Sequence, residues 1–254
     1  MTKPELDVLT VGNAIVDIIA STQEDFLAEQ GIIKGAMNLV DAERSAHLYA
    51  AMGPAIEASG GSAGNTAAGV ASFGGKAGFV GKVNNDQLGK FYTHDIRAVD
   101  VEFDTVPLQD GIPTATSMIF ITPDGERSMN TYLGACVELG VEDIDEDQVA
   151  RSGIIYFEGY LWDPPRAKDA IRHAAEVAHE NSRQVSFTLS DPFCVDRYRD
   201  EFLDLMRSGT VDIIFANEEE LKSLYQTSSL DAAVEAVRSD CKLAAVTLGE
   251  KGSM

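Results

Sequence analysis

The chain has 254 residues, 44% of them hydrophobic, enough to bury the core of one large domain, alone or with a small appendage. Its formal charge of -21, from 41 acidic and 20 basic residues, repels nucleic acid and anionic membranes and excludes both as general partners. The N-terminal MTKPELDVLTVG has no secretory-signal pattern, no run reaches membrane-spanning length, and Cys136, Cys194 and Cys241 fit neither a disulfide framework nor a zinc site, so a cytoplasmic protein with reduced thiols is expected.

Short apolar runs alternate with helical patterns along the chain. Strands are expected at residues 8–11, 77–80, 154–157, 185–189, 213–216 and 243–248, and helices at 166–181, 195–207 and 230–239. The first of these helices follows Asp163-Pro164-Pro165 and carries Ala170, Ile171, Ala174, Val177 and Ala178 on one face. The alternation predicts an α/β fold, a largely parallel sheet with helices on both faces. Between residues 99 and 133, alternating β-branched residues and a Pro123-Asp124-Gly125 turn predict hairpins instead. Joined by residues 31–40, they would form a small β lid. One domain is therefore expected over residues 1–254, with the lid formed by about 12–40 and 99–133.

In an open parallel sheet, ligands bind outside the carboxyl ends of the strands. Those ends read Gly12-Asn13 with Asp17 close behind, Gly81-Lys82-Val83-Asn84, Glu158-Gly159-Tyr160, Ser190-Asp191, Asn217-Glu218-Glu219-Glu220 and Thr247-Leu248-Gly249-Glu250-Lys251-Gly252. Carboxylates and amides there suit hydroxyl groups or a hydrated Mg²⁺ ion, and glycine-rich turns present N–H groups to phosphate. The combination points to phosphoryl transfer.

Simpler readings compete at several positions. Gly60-Gly61-Ser62-Ala63-Gly64 matches the G-x-S-x-G nucleophile elbow of serine hydrolases, but the preceding AAMGPAIEAS makes a poor strand and no His follows His179. Asn217-x-x-Glu220 has the form of a helix capping box, a role compatible with holding a metal-bound water. The acidic run 142–147 lacks the Gly and terminal Glu of a calcium loop and reads as a solvated helix start. His173 and His179 are spaced by six residues and share no helix face for a metal, and His47 and His94 have no evident partner. Taken singly, Met37, Phe120, Tyr160 and Phe193 read as core residues. No Walker motif is present.

Taken in order, G-N-x-x-x-D from Gly12, G-G-S-x-G-N from Gly60, F-V-G-K-V-x-x-D-x-x-G from Phe79, N-x-x-E from Asn217 and V-T-L-G-x-x-G from Val246 resemble the ribokinase/PfkB kinase family. The resemblance covers residues 12–252, and GNAIVDI, GERSMNTYLGA, TLSDPF and DIIFANEEE are most similar to the adenosine kinases within it. It implies a ribokinase-like fold and ATP-dependent phosphorylation of the 5′-hydroxyl of a ribonucleoside, with adenosine the first choice. Asp17 and Asn65 would bind ribose hydroxyls, Gly60 and Gly61 would let the sugar approach the backbone, and Asn13 would border the same pocket. Met37, Leu39, Phe120, Met129, Tyr160 and Phe193 would cage the base. Arg127 on the lid would neutralise phosphate. Asn217, Thr247, Gly249 and Gly252 would line the ATP site, and Glu220 with Glu158 would hold Mg²⁺ through water.

Two features depart from the adenosine kinases. Glu158 and Asp191 are acidic where a small residue is expected, which favours a sugar kinase of the ribose or fructose type as the alternative. The family's D-T-x-G-A-G-D segment, with its general base, has no counterpart up to Met254, so the catalytic aspartate is expected beyond that residue and none is assigned within the chain. The expected partner is a small nucleoside or sugar, and the chain is expected to be a monomer or a lid-mediated homodimer. A non-catalytic nucleoside- or sugar-binding protein is the reading from a different class.

Overall fold

The computed structural model describes residues 4–254. Strand β1 (Leu6–Val11) opens the main sheet and β2 (Ile15–Ser21) leaves it for the lid, followed by α1 (Glu24–Glu29), β3 (Met37–Leu39), α2 (Ala42–Ala51) and β4 (Ile56–Gly60). The chain returns through α3 (Ser62–Ser72), β5 (Ala77–Val80), α4 (Gln87–Ala98) and β6 (Val101–Glu102), then enters the lid again as β7 (Ala115–Ile121) and β8 (Arg127–Tyr132). The remainder is α5 (Glu146–Ala150), β9 (Ser152–Glu158), α6 (Pro165–Glu180), β10 (Gln184–Thr188), α7 (Pro192–Arg207), β11 (Ile213–Asn217), α8 (Glu218–Leu224), α9 (Leu230–Asp240) and β12 (Leu243–Thr247).

Seven strands form the main sheet in the order β12-β11-β10-β9-β1-β5-β6, and every neighbouring pair is parallel. Their carboxyl ends therefore share one rim, as the alternating pattern predicts. Central strands are apolar on both faces because helices cover both. Leu9, Val11, Ile155, Phe157, Val185 and Phe187 pack in one core with the buried alanines of α6. Their small side chains let that helix lie close to the sheet, and Trp162, Phe187 and Phe202 fill the wider gap beyond with mutual edge-on contacts. On the other face, Ala63 and Ala67 of α3 and Tyr92 and Ile96 of α4 pack with Phe79 and Phe103.

The lid is a second, five-stranded sheet in the order β3-β8-β7-β2-β4. Its extent corrects the expected boundaries in two places. Residues 56–60, read as a poor strand, pair antiparallel with β2 as an edge strand. Ile56 is 72% exposed, so the segment carries little of the burial pattern that betrays a strand. Residues 99–114 are not lid. Val101 and Glu102 pair with β5, and the chain continues beside it, with Leu108 N–H donating to Val83 O at 2.9 Å.

Register also fixes the two faces of the lid. Asp17, Ser117, Thr131 and Leu39 stand opposite one another across β2, β7, β8 and β3, as do Ile19, Ile119, Met129 and Met37 one pleat further along. Phe120 lies on the reverse face, fully buried, its ring centroid 5.1 Å from that of Phe26 in α1. The expected base-cage residue is therefore a lid core residue, and its neighbour Ile119 occupies the face shared with Asp17. Truncating Phe120 should act on stability: Phe120→Ala is expected to cost about 3–5 kcal/mol in urea denaturation, and a loss below about 1 kcal/mol would contradict this packing.

Candidate active site

The body and the lid meet where the chain crosses between them. It leaves through Gly12 and Asn13 after β1 and returns through Gly61 after β4. Glu158, the last residue of β9, joins both crossings. One of its oxygens accepts hydrogen bonds from Asn13 N–H at 2.7 Å and Asn13 Nδ2 at 2.8 Å; the other accepts from Ser62 Oγ at 2.7 Å and Ala63 N–H at 2.8 Å. A Cβ on Gly12 would lie 2.6 Å from the Glu158 carboxyl carbon, so only glycine admits the carboxylate there. Glu158 is 1% exposed, and burial pushes its pKa up while these donors pull it down.

That geometry corrects the role expected of Glu158. With both oxygens engaged and solvent excluded, it clamps the two crossings instead of holding metal-bound water. Asn13, 4% exposed, is likewise spent on the clamp. Ser62 donates to Glu158 at the first turn of α3 and has no histidine partner, so the nucleophile-elbow reading ends there.

Gly61 adopts φ +86°, and a Cβ on it would lie 2.0 Å from the Asn13 carbonyl oxygen. At Gly60 a Cβ would meet Asp17 Oδ2 at 2.3 Å, so the missing side chain lets the carboxylate lie across the backbone. Burial raises the Asp17 pKa to about 6, against the opposing pull of the Arg127 guanidinium. Arg127 is exposed and lies across from Ile121 on the Asp17 face of the lid. Asn65 sits in the first turn of α3 with its side chain exposed.

Structure thus gathers Asp17, Gly60, Gly61 and Asn65 beside one crossing, with Met37, Leu39, Met129 and Arg127 on the lid face that Asp17 shares. Met37 and Leu39 are 37% and 52% exposed, an open apolar wall at the β3 edge. Sequence reasoning missed Ile19, Ile119, Ser117 and Thr131 on this face; the two hydroxyls share a hydrogen bond of 2.9 Å. Counting in steps of two from Asp17 and Arg127 reaches Ile19 and Thr131, so period-two alternation carried that signal.

Tyr160 and Phe193 belong to the rim. Ser190 takes φ +72° after β10, and its hydroxyl accepts the Gly159 N–H at 2.7 Å, which holds the Tyr160 turn against Asp191. Phe193 is 77% exposed beside Asp191, which caps α7 by accepting from Cys194 N–H at 2.7 Å.

Further along the rim, Asn217 and Glu220 form the reciprocal capping box: Asn217 Oδ1 accepts the Glu220 N–H at 2.8 Å, and Glu220 accepts from Asn217 N–H at 2.9 Å and Nδ2 at 2.7 Å. Glu220 is 5% exposed, and burial pushes its pKa up, helped by the Asp191 charge. Thr247 stands opposite Asn217, and the chain then folds back as a hairpin, with Gly249 at φ +60° and Gly252 at φ +90°. Among the described residues no group of three or more His, Cys, Asp or Glu is arranged to hold a metal by itself. The acidic run 142–147 leads into α5 under an Asp145 cap, and His173 and His179 pair separately with Glu146 and Asp212. His47, expected to lack a partner, is 3.0 Å from Gln30 Oε1.

A family model described as pfkB family carbohydrate kinase matches residues 56–254. The chain belongs to the PfkB family. This PfkB chain is 68% identical to adenosine kinase from Sinorhizobium meliloti, with 98% of this chain and 76% of that chain covered at a TM-score of 0.93. It is 62% identical to a probable sugar kinase protein from Rhizobium etli CFN 42, with the same coverage and a TM-score of 0.93. Among curated relatives, a probable fructokinase-3 from Arabidopsis thaliana is 26% identical over 205 residues, 78% of this chain and 59% of that protein. The PfkB chain thus spans about three fifths of the length of that relative.

Two substitutions test the site. Gln at position 158 offers one acceptor oxygen where four donors converge, so Glu158→Gln is expected to lose roughly 1–3 kcal/mol of stability for each donor left unpaired, read by urea denaturation. For Asp17 the folded pKa lies above the unfolded one, so the native state binds the proton more tightly and stability falls as pH rises from about 4 to about 6. Asp17→Asn is expected to be more stable than the parent at pH 7, with the gap closing as pH falls through that window. A gap independent of pH would contradict the burial assigned to this carboxyl.

Proposed function

We propose that this chain carries the substrate and nucleotide sites of an ATP-dependent kinase acting on a nucleoside, with the 5′-hydroxyl of adenosine as acceptor. The single observation that carries this reading is the pairing of Asp17 with an apolar wall. A carboxylate set over Gly60 is suited to a ribose diol, and Ile19, Met37, Met129 and Leu39 on the same face, backed by the buried Ile119, offer an apolar surface to a purine. The 68% identity to an adenosine kinase supports the same assignment.

On the nucleotide side, Asn217, Thr247, Gly249 and Gly252 line the end of the rim suited to ATP phosphates. Asp191 and Glu220 fit Mg²⁺: two carboxylates close enough for one to raise the other's pKa gain from a shared cation, and Glu220 retains lone pairs beyond its capping bonds. The ion, when bound, would neutralise the transferring phosphoryl group. Arg127 contributes a second positive charge from the lid. Positioning and charge neutralisation are what these residues supply. We assign the general base to none of residues 1–254.

A sugar kinase is the second reading, favoured by the 62% identity to a probable sugar kinase and by the fructokinase relatives. Calorimetric titration of the chain with adenosine and with fructose separates the two. The nucleoside reading expects adenosine to bind at least about tenfold more tightly than fructose, since a buried purine face contributes more than 1.4 kcal/mol. Fructose binding with no adenosine binding would establish the alternative.

A further inference from the structure

At one end of the rim, beside Asn84, an open groove of about 720 Å³ lies between α4 and the segment that runs from Phe103 to Pro107 at the sheet edge. Its size falls within the roughly 300–1,000 Å³ of small-molecule sites. In a chain of charge -21, this wall is basic: Lys90, His94 and Arg97 recur at helical spacing along one side of α4. Arg97 is held by the Phe103 carbonyl at 2.9 Å and offset by Asp104 at 2.7 Å. Among the described residues Lys90 and His94 have no ion-pair partner, and both are exposed. The accessible apolar part of the lining comes from Ala98, Val106 and Pro107.

The geometry points to a binding site for an organic anion with a compact apolar body, a carboxylate or a phosphate ester, separate from the proposed substrate site. The apolar lining takes the body, Lys90 supplies the positive charge and the His94 ring offers a hydrogen-bonding nitrogen. The same helix supports the lid crossing from its other side. Tyr92 Oη donates to the Gly60 carbonyl at 3.0 Å, and Asp95 accepts the Ser59 N–H at 2.8 Å. Asp86, the cap of α4, accepts from the Thr114 N–H at 2.8 Å, where the chain enters β7 of the lid. A ligand that displaces α4 is thereby coupled to Gly60 and to the second lid passage.

Calorimetric titration of the full chain with phenyl phosphate, benzoate and uncharged benzyl alcohol tests the site directly. At least one anion is expected to bind more tightly than benzyl alcohol; preference for phenyl phosphate assigns a phosphate ester, and preference for benzoate a carboxylate. Lys90→Glu and His94→Ala, both at exposed positions, are each expected to weaken that anion by about tenfold, whereas Arg127→Ala on the lid leaves it unchanged. Absence of anion binding at millimolar concentration, equal binding of benzyl alcohol, or affinity retained in Lys90→Glu but lost in Arg127→Ala overturns the assignment.

Discussion

The structure turns on one buried carboxylate. Glu158 receives four hydrogen bonds from two of the points where the chain passes between body and lid, so one group ties the exit after β1 to the return into α3. A carboxyl group out of contact with water is stabilised when its oxygens are fully engaged, as they are here by four donors, with the N-terminus of α3 adding its dipole. Gly12 and Gly61 follow from this constraint, since a side chain on either would enter the clamp or the Asn13 carbonyl behind it.

The same crossing explains the electrostatics of the lid face. Asp17 is the first charged side chain on β2 beyond the clamp, and its burial over Gly60 raises its pKa to about 6. Arg127 answers it from β8 with a positive charge in an acidic chain, on the face that also carries the apolar wall. A hydroxyl-bearing ligand laid between them would replace lost water hydrogen bonds at Asp17 and bring its apolar portion onto Met37, Met129 and Leu39. At the far end of the rim, the Asp191 charge adds to burial in raising the pKa of Glu220, where Mg²⁺ is proposed.

Much of this was legible in the sequence because backbone requirements leave strong traces. The alternation of apolar runs and helices yields the parallel sheet, and Gly60-Gly61 with Asn65 marks the return to α3. Asn217-x-x-Glu220 forms the capping box that its spacing implies. What the sequence concealed has physical reasons. Residues 56–60 form an edge strand with an exposed Ile56, so burial left no alternating pattern there. Phe120 and Ile119 are both apolar, and a one-residue shift in reading a strand exchanges its faces, which is how a core phenylalanine passes for a ligand contact. Glu158 is the deepest case. Nothing in its local sequence distinguishes a metal-water ligand from a buried clamp, because its four donors come from residues 95 or more positions away.

In the proposed complex a nucleoside lies with its ribose against Asp17 and its base on the lid wall. A crystal structure of the chain with adenosine tests it most directly. The account predicts ribose hydroxyls within hydrogen-bonding distance of Asp17 and Asn65 and the purine against Met37, Met129 and Leu39. Adenosine bound elsewhere, or with its ribose turned away from Asp17, would contradict it.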